Sequence, residues 1–255
     1  MKHHDSVRDL YPIALWEGEG MGTAYEYSAK LKMLRRVVGA SPPARVMIAG
    51  LPEAYGVGMD LALLAALYGS AVVVADDRPE KLETFAAALR SPPLQEWVDP
   101  ECFELRPVKT LAHPVQPGDA PYDLWVTTSA IQRLKGARLN AYLAQARDWS
   151  LQAVLLAPNA DNKAHTTLTR LDGFTLAELT SACKGVGLKV EEAGYVDLPP
   201  FPPGISRSAE AKEKAAESPI ERLAMGVLEG WARGERTLPR ALKRRYSHLV
   251  YVDVR

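Results

Sequence analysis

Short apolar runs that stop at a glycine or an acid are the feature that most constrains what this chain can fold into. Arg45 to Gly50 is one such run, and Ala71 to Ala75, which Asp76 follows, is another. Runs of this kind are typical of parallel strands that helices cover on both faces. Further runs at 103–108, 122–128, 151–157, 188–196 and 248–254 bring the predicted strands to seven.

Segments with helical patterns separate these strands. Apolar residues recur at helical spacing over 26–39, and helix signals mark 56–68, 79–90, 139–146 and 175–185. Pro79 stands at a first helical position, and Thr175 with Glu178 forms the pattern of a capping box. The alternation predicts an α/β fold with a doubly wound, Rossmann-like sheet.

A proline-dense stretch at 197–205 and a charged, alanine-rich segment at 207–245 interrupt the alternation. Both ends of this segment return to the same sheet. We therefore interpret 201–245 as a helical insertion between the sixth and seventh strands, either a lid or a surface for a partner such as a second copy of the chain. Residues 1–40 form an N-terminal helical segment, and 41–200 with 246–255 form the core.

The charge of the chain is balanced, with 31 Lys and Arg against 31 Asp and Glu. This balance disfavours nucleic acid and anionic membranes as partners. Because the sequence has no long apolar run and no apolar signal after Met1, we expect no membrane association and a cytoplasmic location. Cys102 and Cys183 lack metal-ligand neighbours, so no metal site is expected.

The loop after the first strand is the first candidate ligand site, because open parallel sheets bind ligands beyond the carboxyl ends of their strands. Residues 50–58 include Gly50, Gly56 and Gly58, which let backbone approach a ligand but also suit a plain turn. Val57-Gly58 is not followed by the lysine and hydroxyl residue of a P-loop. The five residues between Gly50 and Gly56 do not fit a dinucleotide fingerprint.

Asp76 closes the second strand, where a carboxylate can accept hydrogen bonds from both hydroxyls of a ribose. Nicotinamide and adenosylmethionine proteins both recognise ribose, so Asp76 alone does not choose between them. The alternative is a structural role, in which Asp76 caps the helix that begins at Pro79.

Three stretches together carry a resemblance to a known family. They are 46–58, then 72–82 (Val-Val-Val-Ala-Asp-Asp-Arg-Pro-Glu-Lys-Leu), and 122–134 with Asp123 at its second position. This combination resembles the motifs of class I S-adenosylmethionine-dependent methyltransferases, and 248–252 resembles the antiparallel seventh strand of that family. The resemblance implies S-adenosylmethionine as cofactor and methyl transfer to an acceptor, which we expect to be a small molecule.

The resemblance also implies a cofactor site along the carboxyl ends of the first four strands. The expected contacts are Tyr25 over the cofactor; Gly50, Leu51, Pro52 and Gly56 along its methionine and ribose; Asp76 at the ribose hydroxyls; Asp77 and Arg78 beside the adenine; Lys109 and Thr110 at the adenine edge; and Thr127, Thr128 and Ser129 beneath the sulfonium.

The sequence departs from the family pattern in the first strand and its loop. Ile48 stands where the family usually has an acid, and the glycine loop is longer than usual. Glu53 is a hypothetical replacement for this acid near the amino group of the cofactor. A protein that keeps the fold without the cofactor, and serves as a non-catalytic binding protein, is the alternative that these departures favour. A nicotinamide-dependent oxidoreductase is disfavoured by the glycine spacing.

The acceptor site is expected after the fifth strand, in residues 158–165. Methyl transfer is an in-line displacement that depends mainly on positioning, with a base needed only when the acceptor loses a proton. His165 is the expected base near neutral pH, Asn159 and Asn162 are expected to orient the acceptor, and a polar surface loop is the alternative. Phe201 is expected either to form an apolar wall for the substrate or to belong to a stiff connector.

Overall fold

One mixed sheet of seven strands organises the computed structural model, which describes residues 5–39, 41–53, 56–95, 97–127, 129–200 and 219–255. The strands are β1 (Arg45–Ala49), β2 (Ala71–Asp76), β3 (Phe103–Pro107), β4 (Tyr122–Thr127), β5 (Ser150–Pro158), β6 (Val190–Val196) and β7 (Leu249–Val254). Their order is β3-β2-β1-β4-β5-β7-β6, and β7 runs antiparallel to both of its neighbours. The predicted fold class, with its antiparallel last strand, is confirmed.

Helices cover both faces of the sheet. They are α1 (Val7–Trp16), α2 (Met21–Val38), α3 (Met59–Tyr68), α4 (Pro79–Leu89), α5 (Ala137–Trp149), α6 (Lys163–Thr169), α7 (Leu176–Gly185), α8 (Pro219–Gly234) and α9 (Arg240–Tyr246). The side chains of β1 alternate between the two faces. Val46 and Ile48 pack with α1 to α4, whereas Met47 and Ala49 pack with α5 and α7. This burial on both faces explains why the strand is continuously apolar.

α1 lies within the predicted N-terminal helical segment, whereas α6 differs from the sequence-based expectation. Ser6 caps α1 by accepting a hydrogen bond from the Asp9 N–H, and Pro12, which lacks a backbone donor, lies in the interior of this helix. At the position of α6 a loop was predicted. The Asn162 side chain accepts from the His165 N–H and so begins a helix that carries the His165 ring.

Open parallel sheets bind ligands in a crevice where the strand order reverses, and in this sheet that place lies between β1 and β4. The chain leaving β1 continues to α3 on one face, and the chain leaving β4 continues to α5 on the other. Parallel pairing sets Ala49 beside Ala75, and the Gly50 N–H donates to the Ala75 carbonyl at 2.8 Å. The glycine loop and Asp76 therefore meet at one point of this edge.

The described part of the predicted insertion packs on the N-terminal helices. α8 lies against α1 and α2, and Glu229 accepts hydrogen bonds from the Val7 N–H at 2.8 Å and from Lys32 at 3.0 Å. The Trp231 indole donates to the Leu198 carbonyl at 2.7 Å. Among the residues that the structure describes, we find no helix with the length and apolarity that crossing a membrane requires.

The capping box of α7 gives a direct test of local stability. Thr175 accepts from the Glu178 N–H at 3.2 Å, and Glu178 accepts from the Thr175 N–H at 2.8 Å. Thr175→Ala should lower the free energy of unfolding by about 1 kcal/mol in urea titrations, because it leaves a helix N–H without a partner. Thr84→Ala, at an exposed position of α4, is the control and should not be destabilising. Equal effects would contradict the capping role.

Candidate functional site

Asp76 closes β2, the strand beside β1, and has no solvent exposure. Its Oδ2 accepts the Leu51 N–H at 2.7 Å, and its Oδ1 accepts the Arg78 N–H at 2.9 Å. The carboxylate therefore fixes both the glycine loop after β1 and the turn after β2. It occupies the position that the sequence predicted for the ribose-binding acid.

Two arginines cover this carboxylate. Arg78 donates to Asp76 Oδ1 through Nε at 2.8 Å and to the Leu51 carbonyl at 2.7 Å. The Arg133 guanidinium lies 3.5 Å from Asp76, 2.6 Å from Asp77 and 2.6 Å from Glu53. Glu53 also contacts Arg78 at 2.9 Å. We call Glu53, Asp76, Asp77, Arg78 and Arg133 the arginine network; it fills the place expected for ribose and adenine.

The glycines of the loop show how closely protein atoms approach this crevice. A Cβ at Gly50 would lie 2.6 Å from Ala130 Cβ and 3.0 Å from a Leu111 methyl, so the first glycine faces side chains. A Cβ at Gly56 would overlap the Tyr27 hydroxyl and the Glu17 carboxylate. Gly56 also has φ +70°, which favours glycine. Protein side chains therefore pack directly against the backbone at both glycines.

The other predicted cofactor contacts fall along the same edge. Asp77 accepts a hydrogen bond from the Leu111 N–H at 3.1 Å, and Thr127 is buried. Ser129 has φ +43°, and its carbonyl accepts from the Glu53 N–H at 3.3 Å. Pro52 is buried against Gly58, Lys109 is exposed, and Thr110 accepts from Arg138 at 3.3 Å. Thr128 and Phe201 lie outside the described residues.

Tyr25, which the sequence predicted to lie over the cofactor, binds other groups of the protein. Its hydroxyl lies 2.5 Å from Glu235 and 3.0 Å from the Leu198 carbonyl. Burial raises the pKa of Glu235 to about 7, despite the hydrogen bond from Tyr25. Tyr25 thus joins α2 to the segments that follow β6 and α8.

A buried cluster of acids surrounds one lysine beneath the glycine loop. Lys30 is 1% exposed and contacts Glu26 at 2.7 Å and Asp60 at 3.1 Å. Burial opposes its charge, but Asp60 and Glu26 outweigh burial and raise the pKa of Lys30. Glu17 accepts from the Tyr27 hydroxyl at 2.5 Å and from the Val57 N–H at 3.3 Å. We call Glu17, Glu26, Tyr27, Lys30 and Asp60 the acid cluster.

Two stacked histidines lie at the other end of this polar region. The rings of His165 and His248 are 4.1 Å apart and nearly parallel, and His248 Nδ1 lies 2.8 Å from Asp197. Burial lowers the pKa of His248, but the charge and hydrogen bond of Asp197 outweigh this effect, so the pKa is raised. Burial and the charge of His248 lower the pKa of His165 to about 4. His165 is therefore neutral at pH 7. Its Nδ1 is buried and has no hydrogen-bond partner among the described residues.

The two asparagines of this region are engaged with backbone. Asn159 donates to the carbonyls of Arg244 and Ser247 at 2.8 and 2.9 Å and accepts from the Asp161 N–H at 3.0 Å. Asn162 donates to the Tyr246 carbonyl at 2.9 Å while capping α6. Both amides hold the start of β7 against the end of β5.

Several groups of this edge escaped sequence reasoning because long-range folding assembles them. Arg133 follows β4, Glu17 precedes α2, and His248 opens β7, so no local pattern joins them. The spacing of Glu26 and Lys30 on one helical face was the only local signal in the acid cluster.

Comparison with known proteins gives matches at the level of structure. Neither a family model nor a curated protein sequence matches this chain. The methyltransferase domain of bacterial CtHen1-C matches with 14% identity and a TM-score of 0.54, over 89% of this chain and 96% of that one. The glycopeptide N-methyltransferase MtfA, complexed with sinefungin, matches with 10% identity and a TM-score of 0.51, over 89% and 92%.

A third match shows that the fold is not tied to one reaction. The [4+2]-cyclase SpnF matches with 11% identity and a TM-score of 0.51, over 89% of this chain and 80% of that one. At these identities the similarity shows the architecture alone. The chain therefore has the fold of class I S-adenosylmethionine-dependent methyltransferases.

Proposed function

We propose that this chain is an S-adenosylmethionine-dependent methyltransferase that acts on a small molecule. The buried Asp76 carboxylate, bonded to the Leu51 N–H at the crevice between β1 and β4, is the observation that carries the proposal. An acid next to the topological switch point of a methyltransferase fold supports a role in binding two ribose hydroxyls. The neutral net charge favours a small acceptor over a nucleic acid.

The arginine network must open for the adenosyl group to enter. Arg78 and Arg133 are 18% and 22% exposed, so their long side chains can turn toward solvent while Asp76 stays in place. Leu51, Pro52 and Ser129 would then border the cofactor. Asp77 would remain beside the adenine through its bond with the Leu111 N–H. When bound, the cofactor supplies an activated methyl group.

We assign to His165 the role of positioning the methyl acceptor. With a pKa of about 4, its ring is a weak base, but its free Nδ1 can accept a hydrogen bond from an acceptor O–H or N–H. His248 stacks on one face of the ring, and Asp197 holds His248 in place through its contact with Nδ1. Asn159 and Asn162 support this arrangement through the backbone contacts that they already make. This role replaces that of a base near neutral pH.

A non-catalytic protein with a closed crevice is the second candidate. The observation that favours it is the arginine network, in which the oxygens of Asp76 are bonded to Arg78 and backbone. In that case the network would be a permanent structural element and the outer surface would bind a partner. The two candidates differ in whether the wild-type protein binds an adenosyl ligand. The homodimer and the cytoplasmic location stay predictions from the sequence.

Titration of the protein with S-adenosylhomocysteine separates the candidates. We expect a rise in melting temperature, because a ligand at a hundred times its dissociation constant adds about 2.7 kcal/mol to the folded state. Asp76→Asn should weaken binding at least about tenfold, because the amide offers one acceptor oxygen instead of two. Asp148→Asn, on an exposed residue at the opposite edge of the sheet, should bind like wild type. No shift with wild-type protein would favour the closed, non-catalytic candidate.

The stacked histidines predict a pH dependence of stability. The unfolded pKa of His165 is near 6.5 and the folded one is about 4, so its stabilising contribution is full above pH 6.5 and is lost as the pH falls toward 4. The stability difference between wild type and His165→Gln should therefore fall by about 2 kcal/mol from pH 7 to pH 5. Urea titrations at both pH values measure it.

For His248→Gln, the stability difference from wild type should change with pH in the opposite direction. Because the folded pKa of His248 is raised, its contribution is present below the unfolded pKa and is lost as the pH rises through the folded value. The groups that face it are Asp197, Glu26, Glu235 and His165. Parallel pH profiles for the two variants would contradict the assigned charge states.

A further inference from the structure

Ile48 occupies the position at which the family pattern has an acid, so a different acid would have to take that role. Ile48 is 1% exposed and packs in the core with α3, so it offers no polar group. Glu53, the replacement expected from the sequence, lies 2.9 Å from Arg78 and 2.6 Å from Arg133. Its charge is therefore matched by two cations within the arginine network.

Glu17 is an acid at the same loop with one oxygen unused. Oε2 accepts from the Tyr27 hydroxyl and the Val57 N–H, whereas Oε1 is buried without a hydrogen-bond partner among the described residues. The carboxylate lies so close to Gly56 that a Cβ there would overlap it. A buried acceptor without a donor is costly, so a ligand group that donates a hydrogen bond to this oxygen would be stabilised there.

Glu17 belongs to a group of three acids around one ammonium. Glu17, Glu26 and Asp60 face Lys30, and because burial raises the pKa of both Glu17 and Asp60, a nearby cation would favour their ionised forms. Asp60 has no solvent exposure, and its Oδ1 has no hydrogen-bond partner among the described residues. Asp60 is the second residue of α3, directly after the glycine loop, and its charge acts on Glu17.

We propose that Glu17 binds the primary ammonium at the amino-acid end of the cofactor, with Asp60 as the supporting charge. The assignment rests on the proposed function, because it takes the ligand to be S-adenosylmethionine. Asp76 and Glu17 then contact opposite ends of one ligand across the glycine loop. An acid from the segment between α1 and α2 thereby does the work that an acid in β1 does in the family pattern.

Binding of an ammonium to Glu17 has a consequence for protons. Burial raises the pKa of Glu17 to about 7 despite the hydrogen bond from Tyr27, and Asp60 raises it further while Lys30 lowers it. Glu17 is therefore partly protonated near pH 7. Because a carboxylate must be ionised to bind an ammonium as a pure acceptor, ligand binding near pH 7 should release protons.

Calorimetry with two ligands tests the assignment. S-adenosylhomocysteine carries the amino-acid end, and 5′-methylthioadenosine lacks it. Glu17→Gln should weaken binding of S-adenosylhomocysteine by about ten- to a hundredfold and leave 5′-methylthioadenosine unchanged. Titrations in buffers of different ionisation enthalpy should show proton release with wild type and its loss in the variant. Glu80→Gln, at an exposed acid of α4, is the matched control and should behave like wild type in both readouts.

Each other outcome overturns the assignment in a distinguishable way. If Glu17→Gln binds S-adenosylhomocysteine as wild type does, Glu17 does not bind the ammonium although the proposed function stands. If it loses affinity for both ligands equally, Glu17 acts by shaping the loop. If wild type binds neither ligand, the proposed function fails together with this assignment. The neutral amide resembles the protonated acid, so the variant is expected to fold.

Discussion

The hydrogen bond from the Leu51 N–H to the Asp76 carboxylate is the interaction on which the rest of the site depends. It joins the loop after β1 to the end of β2 with no solvent access, at the one place where the strand order reverses. A fully buried carboxylate needs a cation or several donors. Backbone N–H groups and Arg78 supply them in the closed crevice, and ligand hydroxyls would supply them in an open one.

Two groups of charged side chains are buried in this part of the molecule. They are Lys30 of α2 with its acids, and Asp197 with His248 beside the start of β7. Desolvation makes such groups costly, and hydrophobic replacements of similar volume are often as stable. Asp197 also has φ +64°, a conformation that a non-glycine residue rarely adopts. Charge and strain concentrated at one edge are typical of a functional site.

Sequence reasoning predicted the sheet well and the site incompletely, for physical reasons. The strands were predictable because burial on both faces makes each one a continuous apolar run, as in β1 and β2. The position of Asp76 followed from the same rule. The contact of Arg133 did not, because Arg133 reaches Asp76 only after β4 pairs with β1. Glu17 and His248 likewise depend on tertiary contacts, and α6 depends on one capping side chain.

A crystal structure grown with saturating S-adenosylhomocysteine is the most direct test of the central claim, which is that Asp76 and the glycine loop hold an adenosyl group. The account predicts both ribose hydroxyls within hydrogen-bond distance of Asp76, with the guanidinium groups of Arg78 and Arg133 moved toward solvent. A crevice still filled by those two guanidinium groups, with no ligand beside Asp76, would contradict it.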